Sequence, residues 1–420
     1  FCAQIRRHGT KSLEVICMRV VFITPMDPFN VGGGAISAYR FIEPLKSLYR
    51  KGKIDDYRII YLKKSDTAPV EDTDKFLYFP KRRLDRVRTA FRLNASPLEL
   101  HSEEILSVLT KFNPNVIIMH YSTLGNLSKR IRKSLKNVKI VQNFDNLEAK
   151  TVELSRSPIK VLANLGMKAL LRKSEKFCLT TCNLAVFFEN KQAQLVMSFY
   201  KIQKPYLTMP LTLGNSYEKS SGENPKRNMT TIRPIRLLFT GMLDVWFNTE
   251  AIRFLVDNIA IIRDVIDKNG VKSFELVIAG KTSGKAAEIV EGVSNLVVAP
   301  NPSKEEMDRL FTESDVFISP VFFSTGMKTK ILEALYHGLP VVSSKTSLIG
   351  FEDDLQEVFG KYIFPFTDRD KMGFAKALND AVLEILRNNS FDMRKEIIKI
   401  YNEKYGLERF ESIIQQICVL

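Results

Sequence analysis

The sequence predicts an α/β protein of two domains, each a parallel sheet wrapped by helices. Three observations carry this. Short apolar runs recur at strand length, from Arg19–Thr24 (RVVFIT) to Leu339–Val342, with helix-patterned segments between them, the order of βαβ units. Glycine stands at the ends of several of these runs, as at Gly241 and Gly280. One stretch, 214–234 (GNSYEKSSGENPKRNMTTIRP), has almost no apolar content and is rich in Ser, Asn, Gly, Lys and Pro, so it reads as a linker.

With 420 residues, 45% of them hydrophobic, the chain exceeds one small core. The expected layout is a first domain over 18–213, the linker over 214–234 and a second domain over 235–390. Helices over 391–420 are expected to pack back on the first domain. Residues 1–17 lack a long apolar segment, so no signal peptide is expected, and Met18 is a candidate start with 1–17 as an upstream extension. No run reaches 18 apolar residues, so no transmembrane helix is expected. The five cysteines form no CxxC pair and read as thiols in a reducing compartment. With four histidines, a zinc site is not expected. The net charge of +15 points to an anionic partner: nucleic acid, anionic lipid or a phosphorylated substrate. The chain shows neither a helix-turn-helix pattern nor an aromatic platform, which argues against nucleic acid.

In the first domain the expected strands after Arg19–Thr24 are Tyr57–Leu62, Phe76–Phe79, Asn115–Met119 and Lys139–Gln142. Helices are expected over 35–49, 98–112, 124–136, 150–176 with a break at Pro158, and 192–199. Phe177–Thr180 reads as a strand and Leu184–Phe188 as a helix start. Gly32, Gly33 and Gly34 form a loop before the first helix. The spacing G-x-G-x-x-G fails because position 37 is Ser, leaving a tight turn or a loop facing a cleft. His120 ends a strand, and so does a polar cluster, 143–148 (NFDNLE), that is costly to bury without partners. The segment 81–92 (KRRLDRVRTAFR) carries five arginines and one lysine and reads as a basic surface helix, either simply solvated or meeting anionic lipid.

In the second domain, strands are expected over 235–240, 274–279, 296–299 and 316–319, with helices over 249–266, 304–313 and 370–386. Its informative stretch is 319–350 (SPVFFSTGMKTKILEALYHGLPVVSSKTSLIG). A helix over 327–336 follows a strand end and a glycine turn. That places Thr325, Gly326 and the first helical amides at the C-terminal edge of the sheet, where open α/β sheets bind ligands and a helix N-terminus favours an anion. Lys328 and Lys330 add positive charge, and Glu333 is placed to accept from sugar hydroxyls. Gly241 lets a phosphate approach the backbone. A nucleotide diphosphate joined to a sugar suits this set.

Four segments, LLFTGMLD at 237–244, FELVIAG at 274–280, SDVFISPV at 314–321 and GMKTKILEALYHGLPVVSS at 326–344, resemble the retaining glycosyltransferase family four, of GT-B architecture and bacterial surface-polysaccharide type. The resemblance implies two Rossmann-like domains facing across a cleft. It implies a donor run of Thr325, Gly326, Met327, Lys328, Lys330 and Glu333, with the lysines on the diphosphate and Glu333 on the ribose. In the family's common Glu-x7-Glu pattern Glu333 matches the second member and Thr325 stands at the first, so the usual donor-sugar contact is not carried over. Residues 30–34 resemble the acceptor-side glycine loop. Asp145, Asn146 and Glu148 stand where many relatives have His-Asn-x-Glu, with Asp145 replacing the histidine. The catalytic set implied is Asp145, Lys328 and Lys330. The acceptor-side set is Gly32, Gly33, Gly34, His120, Asn146 and Glu148. No metal and no cofactor beyond the nucleotide diphosphate sugar co-substrate are implied. A glycan or lipid-diphosphate-linked acceptor, an anionic membrane surface and a cytoplasmic place at the inner face of a membrane are implied. The departures at Thr325 and Asp145 keep a second reading open, a catalytically weakened partner subunit, and the two-domain cleft keeps a third, a nucleotide-sugar epimerase.

Overall fold

The computed structural model describes residues 18–29, 33–63, 74–149, 161–212, 234–324, 327–351, 360–387 and 390–418. The first sheet is built from β1 (Arg19–Thr24), α1 (Gly33–Arg50), β2 (Asp56–Lys63), β3 (Phe76–Pro80), α2 (Asp85–Phe91), α3 (Ser102–Phe112), β4 (Val116–His120), α4 (Gly125–Ser134), β5 (Lys139–Asn143), α5 (Val161–Thr181), β6 (Leu184–Phe187), α6 (Asn190–Tyr200) and β7 (Tyr206–Thr208). Its order is β3-β2-β1-β4-β5-β6-β7, and every pairing is parallel. Alternate residues of β1 serve opposite faces. Val20 and Phe22 join the core under α1, and Val21 and Ile23 join the core under α3 and α4.

The second sheet comprises β8 (Ile235–Met242), α7 (Trp246–Asp257), α8 (Ile259–Lys268), β9 (Phe274–Lys281), α9 (Lys285–Val290), β10 (Leu296–Pro300), α10 (Lys304–Glu313), β11 (Val316–Ser319), α11 (Thr329–Tyr336), β12 (Val341–Ser344), β13 (Ile363–Phe366) and α12 (Lys371–Arg387). Its order is β10-β9-β8-β11-β12-β13, again all parallel. In both sheets the order reverses beside the first strand, between β1 and β4 and between β8 and β11. These are the topological switch points where open α/β sheets leave a crevice. Two helices close the chain. α13 (Ser390–Tyr405) packs on α11, and α14 (Leu407–Cys418) puts Phe410, Ile414 and Ile417 into the core of α1 with Phe41 and Leu45. The Thr212 hydroxyl donates to the Tyr405 carbonyl at 2.7 Å, and the Leu211 amide reaches Met327 Sδ at 3.5 Å, so the end of the first unit touches the second.

Several elements depart from the expectation. Phe177–Thr180, expected as a strand, is the last turn of α5. Its β-branched and aromatic composition is overridden because Cys178 and Leu179 are buried and the Thr180 and Thr181 hydroxyls bond carbonyls one turn back, at 2.9 and 2.7 Å. The following run, expected as a helix start, is strand β6. The helix expected over 249–266 is two helices, broken at Asn258, whose Nδ2 donates to the Phe254 carbonyl at 2.6 Å. Gly33 and Gly34, expected in a loop, form the first turn of α1. Gly241, expected to close β8, lies inside it, paired with Gly280 of β9. The approach there is tight. A Cβ on Gly280, whose φ is +147°, would lie 1.8 Å from the Gly241 carbonyl oxygen. Helix α11 starts at Thr329, not 327, with Lys328 in an extended conformation as its N-cap. Gly32, Thr325, Gly326 and the linker at 214–233 lie outside the described residues.

Candidate functional site

At the first switch point β1 ends in Thr24 and β4 in His120, and both are buried. The Thr24 hydroxyl meets His120 Nδ1 at 2.8 Å, and His120 Nε2 meets Asp145 Oδ2 at 3.1 Å and Ser37 Oγ at 3.0 Å. A carboxylate only accepts, so Nε2 carries the proton and Nδ1 accepts from Thr24. Arg40, in the middle of α1, is fully buried. It donates to Asp145 Oδ1 at 2.9 Å and to the Met209 carbonyl at 2.6 Å, with a further bond to Asn143 Oδ1. Its guanidinium lies over the Phe188 ring, 4.4 Å from the centroid. Burial pulls the Arg40 pKa down to about 10, against the opposing pull of Asp145. Burial works against the Asp145 charge too, but His120, Arg40 and Ser37 outweigh it and hold the carboxyl below the usual range. Burial also lowers His120, although Asp145 opposes this, so the ring is a neutral donor. Tyr121, directly after β4, sits at φ +71°, strained for a non-glycine residue, and its side chain bonds Asp145.

Beside this network lies a carboxylate pair. Glu148 is pushed up to about 7 by burial and by Glu175. Glu175 itself is raised by burial, although its oxygens accept from the Tyr200 hydroxyl and, at 2.7 Å, from the Glu148 amide. Asn146 reaches Glu148 Oε1 at 3.4 Å. The structure therefore brings His120, Asp145, Asn146 and Glu148 to one sheet edge, together with the helix that Gly33 and Gly34 open.

At the second switch point the chemistry differs. Lys328 caps α11 with its Nζ 4.8 Å from the centre of the Phe247 ring. Burial pulls its pKa down to about 8, and among the described residues no carboxylate pairs with it. Phe247 belongs to an aromatic group with Phe323, at 5.9 Å between centroids, and Trp246, 5.1 Å from Phe323. Lys330 is engaged by Glu333, Nζ to Oε2 at 2.8 Å, within one helical turn. Glu333 is buried and raised by that burial, with Lys330 opposing. Met327 is buried against Gly350, where a Cβ would sit 2.8 Å from the Met327 Cβ. Behind the strand ends, Ser343 Oγ donates to the Ser319 carbonyl at 3.3 Å and Ser344 Oγ to the Val321 carbonyl at 2.7 Å, which fixes the loop leading to α11. Among the described residues no group of three or more His, Cys, Asp and Glu is placed to hold a metal ion.

These two parallel sheets are found together in solved structures. Sucrose-phosphate synthase from Thermosynechococcus elongatus superposes with a TM-score of 0.64 at 15% identity, covering 95% of this chain and 98% of that one. A glycosyltransferase from Rickettsia africae gives 0.64 at 14%, covering 96% and 97%. HepE of Anabaena, in complex with UDP and glucose, gives 0.62 at 11%, covering 95% and 98%. The fold is GT-B. Residues 234–385 also match the model of a family described as Glycosyl transferases group 1. That match covers β8 through most of α12 of this GT-B chain, the unit that holds Lys328, Lys330 and Glu333. No curated protein matches the sequence significantly.

Sequence reasoning missed Arg40 and the aromatic seat of Lys328. Arg40 had a signal. It lies among Ser37, Phe41, Pro44, Leu45 and Leu48 on the buried stripe of α1, and an arginine on a core stripe needs a buried counter-charge. Phe247 and Phe323 are far apart in sequence and gave none.

Proposed function

We propose that this chain is a retaining glycosyltransferase that moves a sugar from a nucleotide diphosphate sugar to a glycan or lipid-diphosphate-linked acceptor. The observation that carries the reading is Lys328, a half-buried lysine at a helix start and a switch point, its Nζ set against the Phe247 ring and without a carboxylate partner among the described residues. A partly desolvated cation left this way is suited to an anionic ligand. The diphosphate is the ligand that the helix N-terminus, the match over 234–385 and the fold of the UDP-bound neighbour all favour.

In the reaction the bond from the anomeric carbon to the diphosphate oxygen breaks while a bond to the acceptor oxygen forms on the same face. The acceptor proton passes to the departing phosphate. Lys328 and Lys330 stabilise the growing charge of the leaving group, and Glu333 holds the ribose hydroxyls. Thr325, Gly326, Met327 and Gly241 are assigned to the same donor side. Asp145, tied to Arg40 and His120 and held ionised, positions the edge on which the acceptor rests and has little basicity to offer. His120 holds it, and Asn146, Glu148 and the glycines at 32–34 belong to the acceptor side. Synthesis of a surface polysaccharide from a hexose donor, on the cytoplasmic face of a membrane and without a metal, is the setting that fits the resemblance and the charge.

A thermal-shift screen across nucleotide diphosphates and their sugars tests the reading. One nucleotide is expected to raise the melting temperature, and its sugar to be released or transferred. A chain that binds none of them in calorimetry is not a glycosyltransferase.

A further inference from the structure

α2 is an amphipathic helix turned inside out. Its inward side is polar: Asp85 and Thr89 are buried, the Asp85 carboxylate accepts from the Arg82 amide at 2.6 Å, and the Thr89 hydroxyl donates to the Asp85 carbonyl. Its outward side is apolar. Phe91 is 84% exposed, and Leu84, Val87 and Leu93 are each more than half exposed. Leu84, Val87 and Phe91 are spaced three and four apart, so they form one stripe. Around the stripe stand the exposed Lys81, Arg82, Arg83, Arg88 and Arg92. A water-facing surface has no use for four large apolar side chains in one place.

The backbone beneath is held firmly. Asn126 Nδ2 donates to the Leu93 carbonyl at 3.1 Å and to Asn94 Oδ1 at 2.9 Å. Glu99, buried, accepts from the amides of Ala95, Asn126 and Leu127 at 3.0, 2.8 and 3.1 Å. Leu93 is kept at φ +51°, a strained conformation for leucine. The fold thus uses buried polar anchors and strain to present apolar side chains to the outside. α2 also follows the C-terminal end of β3. In an all-parallel sheet that end lies on the same edge as His120 and Asp145.

We propose that residues 81–93 are a docking surface for an anionic lipid bilayer. Leu84, Val87, Phe91 and Leu93 enter the boundary between headgroups and acyl chains, and the basic residues meet lipid phosphates. Charge complementarity selects this occupant. Six basic residues against one acidic residue in 81–93 disfavour a second copy of the same patch, and the apolar stripe disfavours a purely electrostatic polyanion. The proposal deepens the reading above by setting the acceptor-side edge at a membrane, and it rests on that reading only for the acceptor being lipid-linked.

Co-sedimentation of the full chain with vesicles tests it. The wild type is expected in the pellet with mixed phosphatidylglycerol–phosphatidylcholine vesicles and in the supernatant with phosphatidylcholine alone. Phe91→Ser and Leu84→Ser are expected to weaken binding about tenfold each. Arg83→Gln and Arg88→Gln are expected to weaken it about fivefold each. Melting temperature and nucleotide affinity stay unchanged in all four. The proposal is overturned if the wild type ignores phosphatidylglycerol, if Phe91→Ser binds as the wild type does, or if Phe91→Ser converts a dimer to a monomer while vesicles are not bound. A chain that binds nucleotide but no vesicle retires this surface alone. A chain that binds vesicles but no nucleotide retires glycosyl transfer and leaves the surface.

Discussion

At the first sheet's edge Arg40 and Asp145 are buried against each other at 2.9 Å, with His120 and Asn143 completing the set, whereas at the second sheet's edge Lys328 lies half-buried against an aromatic ring with no carboxylate paired to it among the described residues. Both sites occupy the same topological position, the crevice where strand order reverses. On the proposed function, the difference is a division of labour within one architecture. A charge neutralised within the fold is an anchor, and breaking it costs stability. A charge left to be neutralised by a ligand is a binding group, and removing it costs affinity.

The largest effect expected from this comparison comes from Asp145→Asn. It leaves the Arg40 guanidinium buried without its counter-charge, so unfolding in urea should show a loss of about 3–5 kcal/mol. If kcat collapses while the urea midpoint is unmoved, Asp145 belongs with the reacting groups and the comparison fails. The pH dependence points the same way. The folded carboxyl titrates below its ordinary value, so its contribution is present above the usual carboxylate range and is lost as the pH falls through the folded value.

Next in size is Lys328→Ala. Nucleotide diphosphate affinity measured by calorimetry should fall by about 1.5–3 kcal/mol, roughly tenfold to a hundredfold. The urea midpoint should hold or rise, because a desolvated charge has been removed. A loss of stability comparable to that of Asp145→Asn would place the two edges in one class.

A smaller effect follows pH. Burial lowers Lys328 from the ordinary lysine value to about 8. Between those two values the unfolded chain binds a proton that the folded chain does not, so stability rises with pH across the window. A bound diphosphate favours the charged form. Affinity should therefore be full below about 8 and weaken above it, and Lys328→Arg should flatten the profile. An affinity independent of pH in the wild type would separate Lys328 from the ligand.

The smallest effect is expected from Glu333→Gln. Burial already raises this carboxyl, and Lys330 accompanies it at 2.8 Å, so the stability change should stay within about 1 kcal/mol. A ribonucleotide diphosphate should lose about fivefold in affinity, and a 2′,3′-dideoxy analogue should lose none. An equal loss for both would leave Glu333 as a partner of Lys330 and nothing more.

The parallel sheets were legible because a strand covered on both faces is written as an uninterrupted apolar run. RVVFIT and NVIIM read as such runs. Gly241 was legible as a place of close approach and Gly280 as a strand end, although not as partners of each other. The helix that starts at Thr329 and the charges at its start were legible because they lie within one short stretch. Local composition failed where packing overrode it. The FCLT segment ended a helix because its neighbours bury Cys178 and Leu179, and Asn258 broke a helix that periodicity alone would have continued.

By itself the sequence determined two βαβ units, their order and the basic, helix-capped stretch at Lys328 to Glu333, because each of these depends on residues within a few positions of one another. Only the tertiary structure decided which charges are spent. Asp145 finds Arg40 across 105 positions, and Lys328 finds Phe247 where a carboxylate could have been. Burial and pairing are properties of contacts between distant segments, and they set whether a charged side chain holds the fold together or waits for a ligand.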